Sequence, residues 1–192
     1  MTEPLNLEFT VECSPEHAFD VWANKTSLWW PHDHSVSADP GITVTFEPRV
    51  GGRIFERTPG GVEHDWGEIT AWQPPSRIVY LWHFARDRSD ATEVEVSFRR
   101  EDDVTVVTIV HRGWERFGTA GPDLRERNRQ GWRDVFTHYE AVWRQLARRL
   151  EGRPPDRSEY ERQHDHNQHD DDDRDCGSCT TAAGTGDQHQ PH

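Results

Sequence analysis

The side chains best suited to acid, base or metal chemistry are histidines, and they occur in two settings. His32, Asp33 and His34 form a short HDH run after Pro31. Imidazoles titrate near neutral pH and ligate metals, so such a run can serve as acid and base or as part of a metal site. Spacing supplies no third ligand, and a run in a proline-flanked polar loop usually faces solvent, so a solvated loop is the better reading. The second setting is HDHNQHDDDDRDCGSC, which brings His164, His166, His169, Cys176 and Cys179 close together. CxxC is a common zinc half-site, but a structural zinc site pairs two half-sites around an element that folds. This segment is polar and has no apolar face, so a solvated, disordered stretch with at most weak metal capture is expected. A redox CxxC would need a helix N-terminus to lower a thiol pKa, and none is evident. Glu68 and His111 fall in strand-like runs. Facing a cavity they would be perturbed by burial and mark a site; the wet face of a sheet is the expected alternative. Asp102 and Asp103 share a turn and read as surface. No nucleophile elbow, phosphate loop or HExxH motif is present, and neither a cofactor nor a metal site in the folded part is implied.

Aromatic residues offer more. Trp30, Phe46, Phe55, Trp66, Trp82, Trp114, Trp132 and Phe136 are the candidate lining of an apolar ligand cavity, where rings supply contact area and orientation. The same rings can instead fill a solid core, and residue type alone does not separate the two. Trp29 and Trp30 are neighbours whose side chains must diverge, so one is expected in the core and the other at the cavity mouth.

These rings need elements to position them. Leu5, Leu7, Phe9 and Val11 alternate with polar residues, the period of a half-buried strand. Ser14 and Pro15 then open a short helix with a capping hydroxyl and a proline in its first turn. A second short helix is expected over Asn24–Trp30, then a polar loop, then a strand over Ile42–Glu47. From Pro48 to Phe84, glycine pairs at 51–52 and 60–61 and the proline pair 74–75 bound short runs rich in aromatic and β-branched residues. Such short connections require antiparallel neighbours, because a parallel crossover needs about a dozen residues or more. Two further alternating runs, Thr92–Arg100 and Val104–Arg112, follow. Beyond Gly121 the period becomes 3.6: Trp132, Val135, Phe136, Tyr139, Val142, Trp143, Leu146 and Leu150 form the stripe of a long helix, expected over Leu124–Leu150. Gly131 interrupts it at a cost of about 1 kcal/mol relative to alanine, which suggests a kink or a close approach to the sheet or a ligand. Strand, two short helices, six strands and a long helix indicate an α+β domain whose curled antiparallel sheet is closed by that helix. A cavity is expected between helix and sheet wherever side chains do not fill it.

Composition limits partners and boundaries. All nine tryptophans precede Gly152, whereas the last forty residues hold one large apolar side chain, Tyr160. A folded domain over 1–152 and a disordered acidic His/Asp-rich tail over 153–192 are therefore expected, with Pro154 and Pro155 interrupting the helix. Net charge is −13, and from Arg153 onward ten acids face four arginines. An acidic chain lacks the basic footprint of general nucleic-acid binding. No apolar run approaches the ~20 residues that span a bilayer. No secretory signal is recognisable, and three cysteines make no disulfide framework, so the cytoplasm is the expected location.

The motifs SPEHAFDVW, LWWP, RVGGRIFE, WGEITAWQPPSRIVYLW and HRGW, with the helix from GWRDVF to WRQL, resemble a known family. They are similar to the helix-grip fold of the START-like, or SRPBCC, superfamily, in the branch related to the C-terminal domain of the activator of heat-shock protein 90 ATPase. The resemblance spans about Leu5 to Leu150. It implies a curved antiparallel sheet of about seven strands with two short helices and one long C-terminal helix. It also implies binding of a hydrophobic or aromatic small molecule between helix and sheet, in stress response or self-resistance. The alternatives it leaves open are a cyclase- or hydrolase-type enzyme in the same cavity, or a co-chaperone-like interaction module. The true co-chaperone carries an additional N-terminal domain for which this chain has no room, so chaperone contact is not the expectation. A monomer or weak dimer is expected.

Overall fold

Each alternating run becomes a strand of one antiparallel sheet. The structure is a computed structural model that describes residues 2–84 and 86–150. In chain order it contains β1 (Leu5–Val11), α1 (Pro15–Asn24), β2 (Thr43–Phe46), β3 (Arg53–Arg57), β4 (Glu63–Gln73), β5 (Arg77–Trp82), β6 (Thr92–Glu101), β7 (Val104–Arg112) and α2 (Gly121–Leu150). The sheet order is β1-β7-β6-β5-β4-β3-β2, so the first strand pairs with the last and Leu5 lies opposite His111. This is the expected α+β helix-grip arrangement: a curled seven-stranded sheet with a long helix against it.

The period-two pattern sorts side chains between the two faces. Ile78 and Tyr80, Val94, Val96 and Phe98, and Val107, Ile109 and His111 are buried in line on their strands. The stripe of α2 buries Trp132, Val135, Tyr139 and Trp143. Tyr139 donates its hydroxyl hydrogen to the Ala18 carbonyl (2.9 Å), and Phe136 meets Phe9 at 4.4 Å between centroids, so α2 is tied to both α1 and β1. The other face carries ion pairs: Arg53 with Asp65, Arg57 with Glu63, Arg77 and Arg112 with Glu95, and Arg88 with Glu68. Exposed pairs of this kind add little to stability, being screened by water and salt, and keep the face wet.

Three boundaries differ from expectation. The second short helix shrinks to a single 3₁₀ turn, Thr26–Leu28. Thr26 turns its hydroxyl back onto the Trp22 carbonyl (2.5 Å), and the Ser27 hydroxyl pairs with both the amide (2.7 Å) and carbonyl (2.9 Å) of Val44. Those side-chain bonds compete with helix and bind the segment to β2 instead. The HDH run, expected as open loop, is a second 3₁₀ turn over His32–His34. Helix α2 begins at Gly121 rather than Leu124, because Pro122 and Asp123 suit the first helical turn. Among the described residues no helix is long and apolar enough to cross a membrane. The tail expected over 153–192 lies outside the described residues.

Candidate functional site

A cavity of about 440 Å³ opens between the first half of α2, the end of β5 and the segment after α1. Trp30, Trp82, Phe84 and Trp132 supply its aromatic surface, with Val135 beside them. Asn128, Gly131 and Asp134 come from α2, and His34 comes from the 3₁₀ turn.

Each ring is held by a polar contact or by another ring. Trp30 donates its indole N–H to the His34 carbonyl (2.9 Å). Trp132 donates to Nδ1 of His111 (3.2 Å), whose Nε2 lies 2.8 Å from the Thr92 hydroxyl. An indole nitrogen can only donate, so Nδ1 is the acceptor and the proton sits on Nε2. Thr92 passes the chain on to the Trp82 carbonyl (3.0 Å). One buried imidazole thus links the backbone beside one lining ring to the indole of another. Burial without a charged partner pushes its pKa down to about 3, so it stays neutral.

Behind this wall sits Trp66, fully buried, 5.0 Å from Trp30 and 5.7 Å from Trp82 between centroids. Its N–H donates to Glu56 (2.9 Å), a buried carboxyl that also accepts from the amides of Val36 (2.8 Å) and Ser37 (2.7 Å). Glu56 therefore fixes the segment that carries His34 to the sheet. Gly67, next to Trp66, is required by close approach: a Cβ there would lie 2.1 Å from the Leu81 carbonyl oxygen. Phe84 adopts φ 44°, a left-handed conformation costly for a bulky residue, and its ring stacks on Trp82 at 5.4 Å.

The eight rings singled out in the sequence separate into groups. Trp30, Trp82 and Trp132 line the cavity, and Trp66 backs it. Phe136 stacks on Trp132 (5.9 Å) and Phe46 packs on Tyr80 (5.7 Å); both belong to the core rather than the lining. Trp114 lies 4.2 Å from the His111 ring and borders a smaller recess of about 130 Å³. Phe55 lies apart from the core cluster, under the guanidiniums of Arg53 (4.4 Å) and Arg57 (5.6 Å). The reason is alternation: Ile54 and Glu56 take the inner face of β3, which sends Phe55 outward. Trp29 is buried, with its N–H on the Val21 carbonyl (2.7 Å), while Trp30 stands at the cavity.

Expectations for the polar residues also divide. Glu68 faces outward in a pair with Arg88, whose hydrogen bonds hold its carboxyl below the usual range. His111 was expected on the wet face and is instead wholly buried on the inner one. The HDH run is split. His34 lines the cavity, its Nε2 4.0 Å from Oδ2 of Asp134, while His32 and Asp33 border a separate recess with His138 beyond Trp30. Among the described residues no group of three or more His, Cys, Asp or Glu is arranged around a metal position. The tail histidines and cysteines lie outside those residues. Sequence reading missed Phe84, His34 with Asp134, and Glu56. Only Glu56 had a signal, as the inward neighbour of Ile54 in a period-two run.

Comparison with known proteins places this geometry. Set against curated proteins, the sequence finds no match. Among solved structures, the Aha1 dimer from Colwellia psychrerythraea is 17% identical with a TM-score of 0.57, covering 74% of this chain and 96% of its own. CalC from Micromonospora echinospora, described as a self-sacrificing resistance protein, is 24% identical with a TM-score of 0.56, covering 75% and 96%. An anthrahydroquino-gamma-pyrone synthase, Txn09, is 31% identical over 64% of this chain and 84% of its own, at a TM-score of 0.48 too low to add to the fold assignment. Residues 12–151 match the family described as Activator of Hsp90 ATPase homolog 1-like protein, and the chain belongs to that family.

Proposed function

We propose that the protein binds a flat hydrophobic or aromatic small molecule in the cavity between α2 and β5. The observation that carries this reading is the aromatic surface of Trp30, Trp82, Phe84 and Trp132 around about 440 Å³ of space, within the ~300–1,000 Å³ typical of ligand sites. The polar lining groups are His34 and, on α2, Arg127, Asn128, Gln130 and Asp134, which suits a ligand with an apolar body and a polar edge. The proposed role is sequestration of such a molecule in the cytoplasm, in stress response or self-resistance, by a monomer or weak dimer whose folded unit is residues 1–152. A co-chaperone-like module is less favoured, because the face that would present an apolar patch carries ion pairs instead.

The test is a titration with β-naphthol followed by tryptophan fluorescence, paired with a stability measurement on each variant. Trp82→Ala is expected to weaken binding more than it destabilises the fold, and Phe136→Ala to do the reverse. If the wild type binds no aromatic ligand and both variants lose stability heavily, the interior is solid and the interaction-module reading becomes the better one.

A further inference from the structure

We propose that His34 and Asp134 form a proton-transfer dyad on this cavity, acting on an aromatic ligand that carries an enolisable ketone. The proposal rests on the ligand-binding reading above and goes beyond it to chemistry.

Backbone contacts at both ends hold His34 in place. Its amide donates to the Pro31 carbonyl (3.0 Å) and its carbonyl accepts the Trp30 indole N–H (2.9 Å), while Glu56 anchors the residues that follow. Asp134 stands 4.0 Å from Nε2, and the side chains of Asp134 and His34 are 51% and 30% exposed, so a rotamer change can close the gap. Hydrogen bonds in ligand-free catalytic sites are commonly this long. With the carboxylate at Nε2, the basic nitrogen is Nδ1. That edge of the ring faces Gly131, where a Cβ would stand 3.8 Å from both Nδ1 and Cε1. The glycine in the middle of α2 thus leaves the base open to the cavity. One turn earlier on α2, Arg127 also lines the cavity and has no ion-pair or hydrogen-bond partner among the described residues. From residue 127 to residue 134 the helix rises roughly 10 Å at ~1.5 Å per residue, the length of a small fused-ring ketone.

The step follows from these positions. Nδ1 of His34 takes a proton from the carbon next to the ketone, and the electron pair of that C–H bond moves into the enolate. The enolate oxygen faces the Arg127 guanidinium. Asp134 accepts from Nε2–H and stabilises the imidazolium. Returning the proton to carbon or oxygen restores the neutral ring, so the outcome is tautomerisation. In a ligand with a second carbonyl the enolate carbon attacks that carbon instead, its C=O π bond opens, and the imidazolium returns the proton to the resulting alkoxide, with no net oxidation in either case. His111 cannot take this part, because both of its ring nitrogens are already engaged.

The test uses the full chain with β-tetralone in deuterium oxide, following loss of the α-proton NMR signal and measuring ligand affinity separately by calorimetry. Wild type is expected to exchange the α-protons faster than buffer. His34→Gln should lower the protein-dependent rate about a hundredfold with affinity within about twofold. Asp134→Asn should slow exchange less, with affinity again within about twofold, because the imidazole keeps its basic nitrogen but loses the acceptor at Nε2. Arg127 and Asp134 are the charged groups that share this cavity with it. If β-tetralone binds and exchanges no faster than in buffer, or if His34→Gln keeps the rate, the dyad is wrong and the cavity reading stands. An Asp134→Asn variant unchanged in rate also overturns the dyad. Absence of binding removes both proposals.

Discussion

Two histidines serve the same cavity in opposite states. His111 is sealed behind Trp132 with both ring nitrogens bonded, and burial holds it neutral. His34 stands at the cavity mouth, 30% exposed, with a carboxylate just beyond hydrogen-bond reach. The difference is one of completed versus uncompleted hydrogen bonding. A buried polar group whose bonds are all made is framework, because breaking any of them costs desolvation with no replacement. A polar group with a free valence beside an apolar cavity keeps its capacity for chemistry. Glu56 belongs with His111 by this measure, since three N–H groups converge on it.

The comparison predicts a graded set of effects. Glu56→Ala strands three donors and releases the segment carrying His34, and should cost the most, about 3 kcal/mol or more in a urea melt. His111→Ala should cost about 2–3 kcal/mol, through the lost acceptor of Trp132, the lost donor to Thr92 and the space left behind. His34→Ala should stay within about 0.5 kcal/mol. Equal losses at the two histidines would erase the distinction drawn between them.

The same contrast has a pH signature. The His111 imidazole falls from its ordinary 6.5 to about 3 in the folded protein. Below 6.5 the unfolded chain takes up a proton that the folded chain refuses, so the stabilisation is complete above 6.5 and is lost progressively as pH falls toward 3. At pH 5 the loss should be about 2 kcal/mol, at ~1.36 kcal/mol per pH unit. Comparing wild type with His111→Gln across that range isolates this contribution from the carboxylates. A pH dependence identical in the two would show that the ring is not held neutral by burial.

Much of this architecture was legible in the sequence, for physical reasons that also mark where legibility stops. Val94, Val96 and Phe98 must share a face in any strand, and the stripe from Trp132 to Trp143 must share one in any helix, so sheet and closing helix follow from periodicity. Which ring meets empty space does not follow. Trp82 and Phe46 have the same kind of position, yet one ends a strand at the cavity and the other packs on Tyr80. Phe55 lies outside the lining of this cavity, a direction that Ile54 beside it signals. The pairing of His34 with Asp134 joins residues a hundred positions apart and was invisible, as were the amide donors that Glu56 gathers from Val36 and Ser37.

The most direct test of the central claim, that the cavity holds a ligand, uses a substitution expected to cost no stability. Gly131 sits in regular helix, and nothing beyond that helix's own backbone lies closer than 3.8 Å to where a Cβ would stand, so a Cβ fits there and the branch of Gly131→Leu projects from α2 into the cavity. Replacing glycine inside a helix favours the fold by up to ~1 kcal/mol. Calorimetric titration of β-naphthol into wild type and this variant, with melting temperatures measured alongside, is the decisive experiment. The account predicts saturable binding to wild type and its loss in Gly131→Leu at an equal or higher melting temperature. Binding that survives the substitution unchanged would place the ligand elsewhere and contradict the account.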